Sequence, residues 1–331
     1  MKLPEPLRLR ELCWHGDALR ANLSPHRTAG LEALLVTFLW STSWVLVKIG
    51  LKDIPALQFA GLRYSLGFLC LLPLLLVPTR RERLRRLPLR TWGLLLMLGI
   101  LYYTLTQGTQ FVGLAYLPAI TVNLILSFTS VLVGLMGIRL LGERPSGLQW
   151  AGVGVYVLGA LAYFYPLHIP AAEIIGYAVV VVGLLANAGS SILGRSVNRR
   201  GDLSPIEVTV VSMGIGSIGL MIGGLAVEGL PMLSGRSWLI IAYLAVVNTA
   251  LAFSMWNHSL RTLTALESSV INSTMMVQIP ILAVIFLGES VSLRQGVGLV
   301  LAVAGTLAGQ LGGARRSRLD ISASETAEYS S

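Results

Sequence analysis

The sequence predicts an all-α membrane protein of ten transmembrane helices arranged as two inverted five-helix repeats. Three observations carry that prediction: a composition too apolar for a water-facing surface, ten apolar runs, and residues recurring at a fixed offset of 146 positions. Of 331 residues, 54% are hydrophobic and 12% charged, and the mean hydropathy is +0.72. A soluble domain carries roughly 25% charged residues because its surface must face water. The surface of this chain is built for lipid.

A span needs about 20 mainly apolar residues. Span 1 (30–51) follows 29 mixed polar residues, too long a lead for a cleavable signal peptide; within it, Leu7 to Leu23 is either a disordered tail or a surface-lying segment. Span 2 (56–78) starts after Pro55 and runs into the basic stretch Arg80–Arg90. Span 3 (92–114) carries a polar stripe, and span 4 (119–139) starts after Pro118. Span 5 (148–166) starts beyond Pro145 and is rich in glycine. Spans 6 (173–194), 7 (205–226) and 8 (237–257) follow Pro170, a basic loop and Pro231. Spans 9 (264–286) and 10 (295–313) close the set. Prolines in the joints cost little, because no helical N–H is needed there. The expected organisation is a tail (1–29), a first repeat (30–166), a second repeat (173–313) and a C-terminal tail (314–331).

Charge orients the spans. Twenty Lys and Arg fall in the tails and the even-to-odd loops, against four (Lys48, Lys52, Arg236, Arg294) on the other side. Basic residues mark the cytoplasmic side, so both termini are expected there, in the cell membrane. The net charge of +9 is thereby used up in orientation. The Arg80–Arg90 stretch lacks the interleaved aromatics that stack on bases, so no nucleic-acid partner is expected. Cys13 lies in the tail and Cys70 in span 2, which speaks against a disulfide or a metal site.

The repeat is read from Leu141-Gly142-Glu143 and Leu287-Gly288-Glu289. At the same offset Gln149 matches Gln295, Gly152 matches Gly298, Gly159 matches Gly305, and Ala119 matches Ala265. An offset of 146 divides ten spans into five and five. Five is odd, so the halves have opposite orientations. Inverted repeats are the architecture of many secondary transporters, with the substrate site near the midplane.

The chain resembles the EamA-like transporters of the drug/metabolite transporter superfamily. The residues are Trp40-Ser-Thr-Ser-Trp44-Val-Leu-Val-Lys48-Ile-Gly50, Pro55 with Phe59-Ala-Gly-Leu-Arg63, and the Leu-Gly-Glu endings of spans 4 and 9. The resemblance covers roughly 30–312. It implies export of amino acids or related metabolites, with spans 1–4 and 6–9 around the pathway and spans 5 and 10 peripheral. The Trp-rich segment has only a faint counterpart at Asn187-Ala-Gly-Ser190-Ser-Ile-Leu-Gly-Arg195, so the halves share a backbone but not equal roles.

Inside lipid, a polar side chain must find a partner or face a cavity. The candidate substrate-binding residues are therefore the mid-span polar and aromatic ones. They are Trp40, Thr42, Ser43 and Trp44 in span 1; Arg63 in span 2; Tyr103, Gln107 and Gln110 on one face of span 3; and Asn123 with Ser127, followed by Ser130, in span 4. Asn187 with Ser190, Asn248 (before Trp256 and Asn257), and Asn272 with Gln278 supply spans 6, 8 and 9. The competing reading is that such groups tie helices together. The same applies to Gly219/Gly223 and Gly305/Gly309, read as packing within the chain.

Arg63 is the most informative charge. Span 2 holds no Asp or Glu, so its partner is a group on another span, a helix C-terminus or a substrate carboxylate. Lys48, near the outer end of span 1, either snorkels to the interface or takes a structural or gating role. Glu143 and Glu289 are expected to accept from the N-terminus of the following helix, with gating as a second reading. Glu207 and Glu267 are read as helix-start caps near a cavity mouth. No acid lies near the middle of any span, which favours neutral, zwitterionic or anionic substrates over cations. Neither a cofactor nor a metal is implied. An enzyme would need a nucleophile–base pair that His15, His26, His168 and His258 do not supply. The competing functional readings are an importer, a sugar- or nucleotide-sugar-type carrier, and a non-transporting membrane protein.

Overall fold

The structure is a computed structural model that describes residues 25–141, 146–166, 169–230 and 232–329, with side chains described outside 137–141, 265–266 and 313–329. Cys13, His15, Glu143, Pro145, His168, Pro231 and the segment Leu7 to Leu23 lie outside the described residues. Among the described residues, ten helices are long and apolar enough to cross a membrane. They are span 1 (Pro25–Gly50), span 2 (Ala56–Leu74), span 3 (Leu89–Tyr116), span 4 (Ala119–Met136) and span 5 (Gly147–Phe164). The second repeat supplies span 6 (Ala171–Arg199), span 7 (Pro205–Glu228), span 8 (Gly235–Ser259), span 9 (Glu267–Leu287) and span 10 (Leu293–Gly312). Ten is even, so the chain starts and ends on one face, here the terminal face.

Span 2 is shorter than its hydropathy implies. It stops at Leu74, and Pro78 opens a separate helix, Pro78–Arg85, that carries much of the basic stretch. Proline suits the first helical turn, where its missing N–H has no partner to lose. It also pushes the preceding residue, Val77, into an extended conformation at φ −55°, ψ 129°.

The 146-residue register is visible in the backbone. Span 4 is interrupted at Phe128 and span 9 at Thr274, the equivalent position. Spans 3 and 8 each widen at their middles into π-helix, over Gly99–Gln107 and Leu244–Leu251. In both, a threonine hydroxyl donates to the carbonyl five residues back: Thr106 to Leu101 at 2.8 Å and Thr249 to Leu244 at 2.9 Å. Such widening recurs at functional sites.

The matched glycines interlock spans 5 and 10, which run antiparallel. A Cβ on Gly152 would meet the Gly305 carbonyl oxygen at 2.6 Å, and one on Gly159 the Gly298 carbonyl oxygen at 2.5 Å. Only glycine permits this approach, and residues equated by the register trade partners as a pseudo-twofold requires. This pair is the least enclosed, with 22% of each span buried, and sits at the periphery. Spans 2 and 7 cross nearer the centre, where Gly61 meets Met221 and Gly224 meets Gln58. Gly219 packs on Thr104, whereas Gly223 has open space around its Cα.

Candidate functional site

Arg63 lies at the middle of span 2 and is 4% exposed. Its Nε donates to the Thr249 hydroxyl of span 8 at 3.1 Å. Its guanidinium carbon stands 5.3 Å from the Tyr64 ring centre and 6.0 Å from that of Phe111. No carboxylate among the described residues pairs with it. The partner from another span is thus a neutral hydroxyl, held in place because it also closes the π turn onto Leu244. A buried guanidinium offers five donors in a planar fork, and one hydroxyl occupies one of them.

Two predicted residues join this centre. Tyr64 donates to Gln107 at 2.6 Å and packs edge-on against Tyr103, ring centres 5.4 Å apart. Gln110 is half-buried and is not drawn into the cluster. The π turn alters the α-helical spacing that would have stacked all three.

A second group forms where span 1 meets span 8. Trp40 packs on Phe253 and Trp256, ring centres 5.3 and 5.2 Å away. Asn248, next to Thr249, is fully buried; its amide nitrogen donates to the Leu39 carbonyl and lies 3.4 Å from the Thr42 hydroxyl. Its Oδ1 is buried with no hydrogen-bond partner among the described residues. Trp44, one helical turn after Trp40 on span 1, is also buried.

Other candidates serve the helices themselves. Thr42, Ser43, Ser127 and Ser190 donate to carbonyls three or four residues back. Asn187 reaches Thr129 at 3.0 Å. Gln278 accepts from Ser41 at 2.8 Å and donates to Thr274 at 3.0 Å, so its amide is used at both ends. Asn123 is buried, while Ser130 and Asn272 are exposed and stand apart from the Arg63 centre.

The end-of-span charges differ from expectation in two respects. Lys48 does not snorkel; its ammonium donates to the Leu114 and Leu117 carbonyls, both at 2.6 Å, where the C-terminal dipole of span 3 attracts a cation. Glu289 does not bind the following helix. Ser292 and Gln295 already cap span 10, and Glu289 instead accepts from the Ala119 and Ile120 amides of span 4, at 2.6 and 3.1 Å. Glu207 does cap its own helix through Ser204, and it is fully buried against Arg83 at 3.1 Å. Glu267 caps through Thr264 and meets His26 at 2.9 Å.

Sequence reasoning missed Tyr64, Phe111 and Thr249. Threonine in an apolar run carries no signal alone. The shared spacing of Leu101/Thr106 and Leu244/Thr249 in equivalent spans was the available clue.

Comparison with known proteins fits this architecture. The EamA-like transporter family matches residues 28–165 and 174–308. The uncharacterized transporter YvbV of Bacillus subtilis (strain 168) is 30% identical over 84% of this chain and 89% of its own length. A protein of Escherichia coli (strain K12) named as a probable amino-acid metabolite efflux pump is 25% identical over 70% of this chain and 77% of its own. One crystal structure superposes with a TM-score of 0.63 at 18% identity, over 86% of this chain and 98% of that one, a likeness of fold alone.

Proposed function

Since the chain belongs to the EamA-like transporter family, we propose that it exports amino acids or related small metabolites across the cytoplasmic membrane by alternating access. The observation that carries the reading is Arg63, a buried cation at the meeting of the two repeats with no acidic partner among the described residues. A substrate carboxylate supplies the missing anion, bound bidentately by the guanidinium fork. The neighbouring Asn248 Oδ1, buried and without a partner among the described residues, is an acceptor for an ammonium group. Together they favour a zwitterion or anion over a cation. Tyr103, Gln107 and Trp40 contribute aromatic and amide walls around it.

Export is supported by the name of the Escherichia coli relative, and a cytoplasmic terminal face by the Lys/Arg asymmetry.

The test is efflux from proteoliposomes loaded with labelled amino acids and with carboxylates lacking the amine. Wild type is expected to release at least one of these classes. Arg63→Ala removes charge-assisted bonds worth about 2–3 kcal/mol, so affinity falls about 30- to 150-fold. Arg63→Lys, which keeps the charge but loses the fork, falls between. No efflux of any class from folded wild type sinks the carrier; normal efflux by folded Arg63→Ala sinks the site.

A further inference from the structure

The helix Pro78–Arg85 and its flanks carry six arginines, and the structure divides them by face. Arg80 and Arg83, three apart, turn toward the second repeat and meet the buried Glu207 at 3.9 and 3.1 Å. Arg80 also donates to the Leu74 carbonyl at the end of span 2. Arg86 pairs with Glu82. Arg81 and Arg85, four apart and so on one face, and Arg90 in the first turn of span 3, are exposed. None of these three makes a hydrogen bond or ion pair to a described residue.

The surroundings of this uncommitted face are apolar. Leu76 and Val77 before the helix are 61% and 45% exposed, and Leu89 after it is 90% exposed. Leu76 and Val77 follow the end of span 2 at Leu74, and Leu89 is the first residue of span 3, so the exposed apolar side chains stand where the chain leaves and re-enters the membrane-crossing segments. Arg81 is four residues past Val77, Arg85 four before Leu89, and Arg90 directly follows Leu89, so the three exposed arginines flank the exposed apolar residues in sequence.

We propose that this outer face of the helix is a docking surface for anionic phospholipid headgroups. The chemistry is guanidinium against phosphate, with the apolar flanks seated among the first carbons of the acyl chains. An arginine at an anionic membrane surface gains about fivefold in binding, so three give a preference of roughly a hundredfold over a zwitterionic surface. The inward face ties the same helix to Glu207 in the second repeat, so a bound headgroup stabilises the joint between the repeats. The inference stands independently of which substrate is carried, and its test needs no transport.

The full chain, delipidated in a neutral detergent, is titrated with dioleoylphosphatidylglycerol, dioleoylphosphatidylcholine or inorganic phosphate. Thermal unfolding and retained lipid are then measured. Binding to the native state alone raises the unfolding midpoint by mass action. Phosphatidylglycerol is expected to raise it by several degrees, the other two not, and high salt is expected to suppress the shift in wild type. Arg81→Gln/Arg85→Gln/Arg90→Gln is expected to lose most of the shift, and the corresponding triple lysine variant to keep it. Equal shifts with the two lipids, or an unaltered shift in the glutamine variant, overturn the proposal. So does an equal shift with inorganic phosphate, which reveals a small-anion site, or a salt-insensitive shift in wild type, the readout that holds even if the glutamine variant misfolds.

Discussion

The contact between spans 5 and 10 allows a prediction whose size comes from geometry. A Cβ added at Gly159 would stand 2.5 Å from the Gly298 carbonyl oxygen and 2.6 Å from the Ala302 amide nitrogen, where ordinary contact begins at 3.4 Å. Both obstacles are backbone, so neither can rotate away, and the helices must part by about 0.9 Å. A gap of that size forfeits about a quarter to a half of the dispersion energy of the contacts it opens. Overpacking of this kind costs about 1–3 kcal/mol. Gly159→Ala should therefore lower unfolding free energy by about 1–3 kcal/mol, measured by denaturant titration in mixed micelles. Gly154, on the same helix with nothing within 4 Å of a built Cβ, is the control. Gly154→Ala should be neutral or stabilise by up to about 1 kcal/mol, because alanine restrains the unfolded chain. Gly159→Ala/Gly298→Ala should cost less than the two single changes added, since helices already parted accommodate the second methyl. If Gly159→Ala is tolerated as well as Gly154→Ala, the interlock is not what holds the two repeats together at this edge.

Two further predictions concern bonds that cross between repeats. Glu289→Ala, which removes the acceptor for the Ala119 and Ile120 amides, should cost about 0.5–2 kcal/mol in the same titration, with Glu289→Gln intermediate because it keeps an oxygen but not the charge. Thr249→Val keeps the shape of threonine but removes the hydroxyl's bond to the Leu244 carbonyl and strands the Arg63 Nε; it should cost about 1–3 kcal/mol, with Thr249→Ser recovering most of it, and equal losses in Val and Ser would refute the hydroxyl's role.

The ten spans were legible because hydropathy sums over about 20 residues and single exceptions average out. The register was legible because glycine at a crossing is demanded by backbone contact, so Gly152, Gly159, Gly298 and Gly305 recur where the fold needs them. The helix Pro78–Arg85 was not legible. Its sequence has no apolar period, and its anchorage to Glu207 comes from a residue more than a hundred positions away. Arg63 announced itself as a charge in a span, but Thr249 lies 186 residues on and looks like any threonine in an apolar run. The π turns shift each side chain relative to an α-helical count, which is why Tyr103 and Gln107 gather at Tyr64 and Gln110 does not. Glu289 was assigned to its nearest helix in sequence, whereas the nearest free amides in space belong to span 4.

The joints between the repeats are of different kinds on the two faces, and this bears on how they can open. Away from the termini, Glu228 accepts from the Leu57 and Gln58 amides at 3.0 Å, and Glu289 from those of Ala119 and Ile120. Each carboxylate meets a helix N-terminus, where donors are already fixed by the helix and the dipole adds its attraction. On the terminal face the repeats meet through side chains: Arg83 with Glu207, His26 with Glu267, and His258 with Glu32 at 2.8 Å. Ordering two long side chains costs entropy, and exposed pairs are screened by salt. With the histidines protonated, ionic strength weakens the terminal-face joint more than the other, with the buried Glu207 its most resistant member. Midway between them, Arg63 and Thr249 form a third bond from one repeat to the other. On the proposed reading, an anion that draws the guanidinium toward itself competes with that bond directly. Binding then acts on the contact between the repeats without any longer chain of coupled residues, because the substrate's partner and the joint are the same side chain.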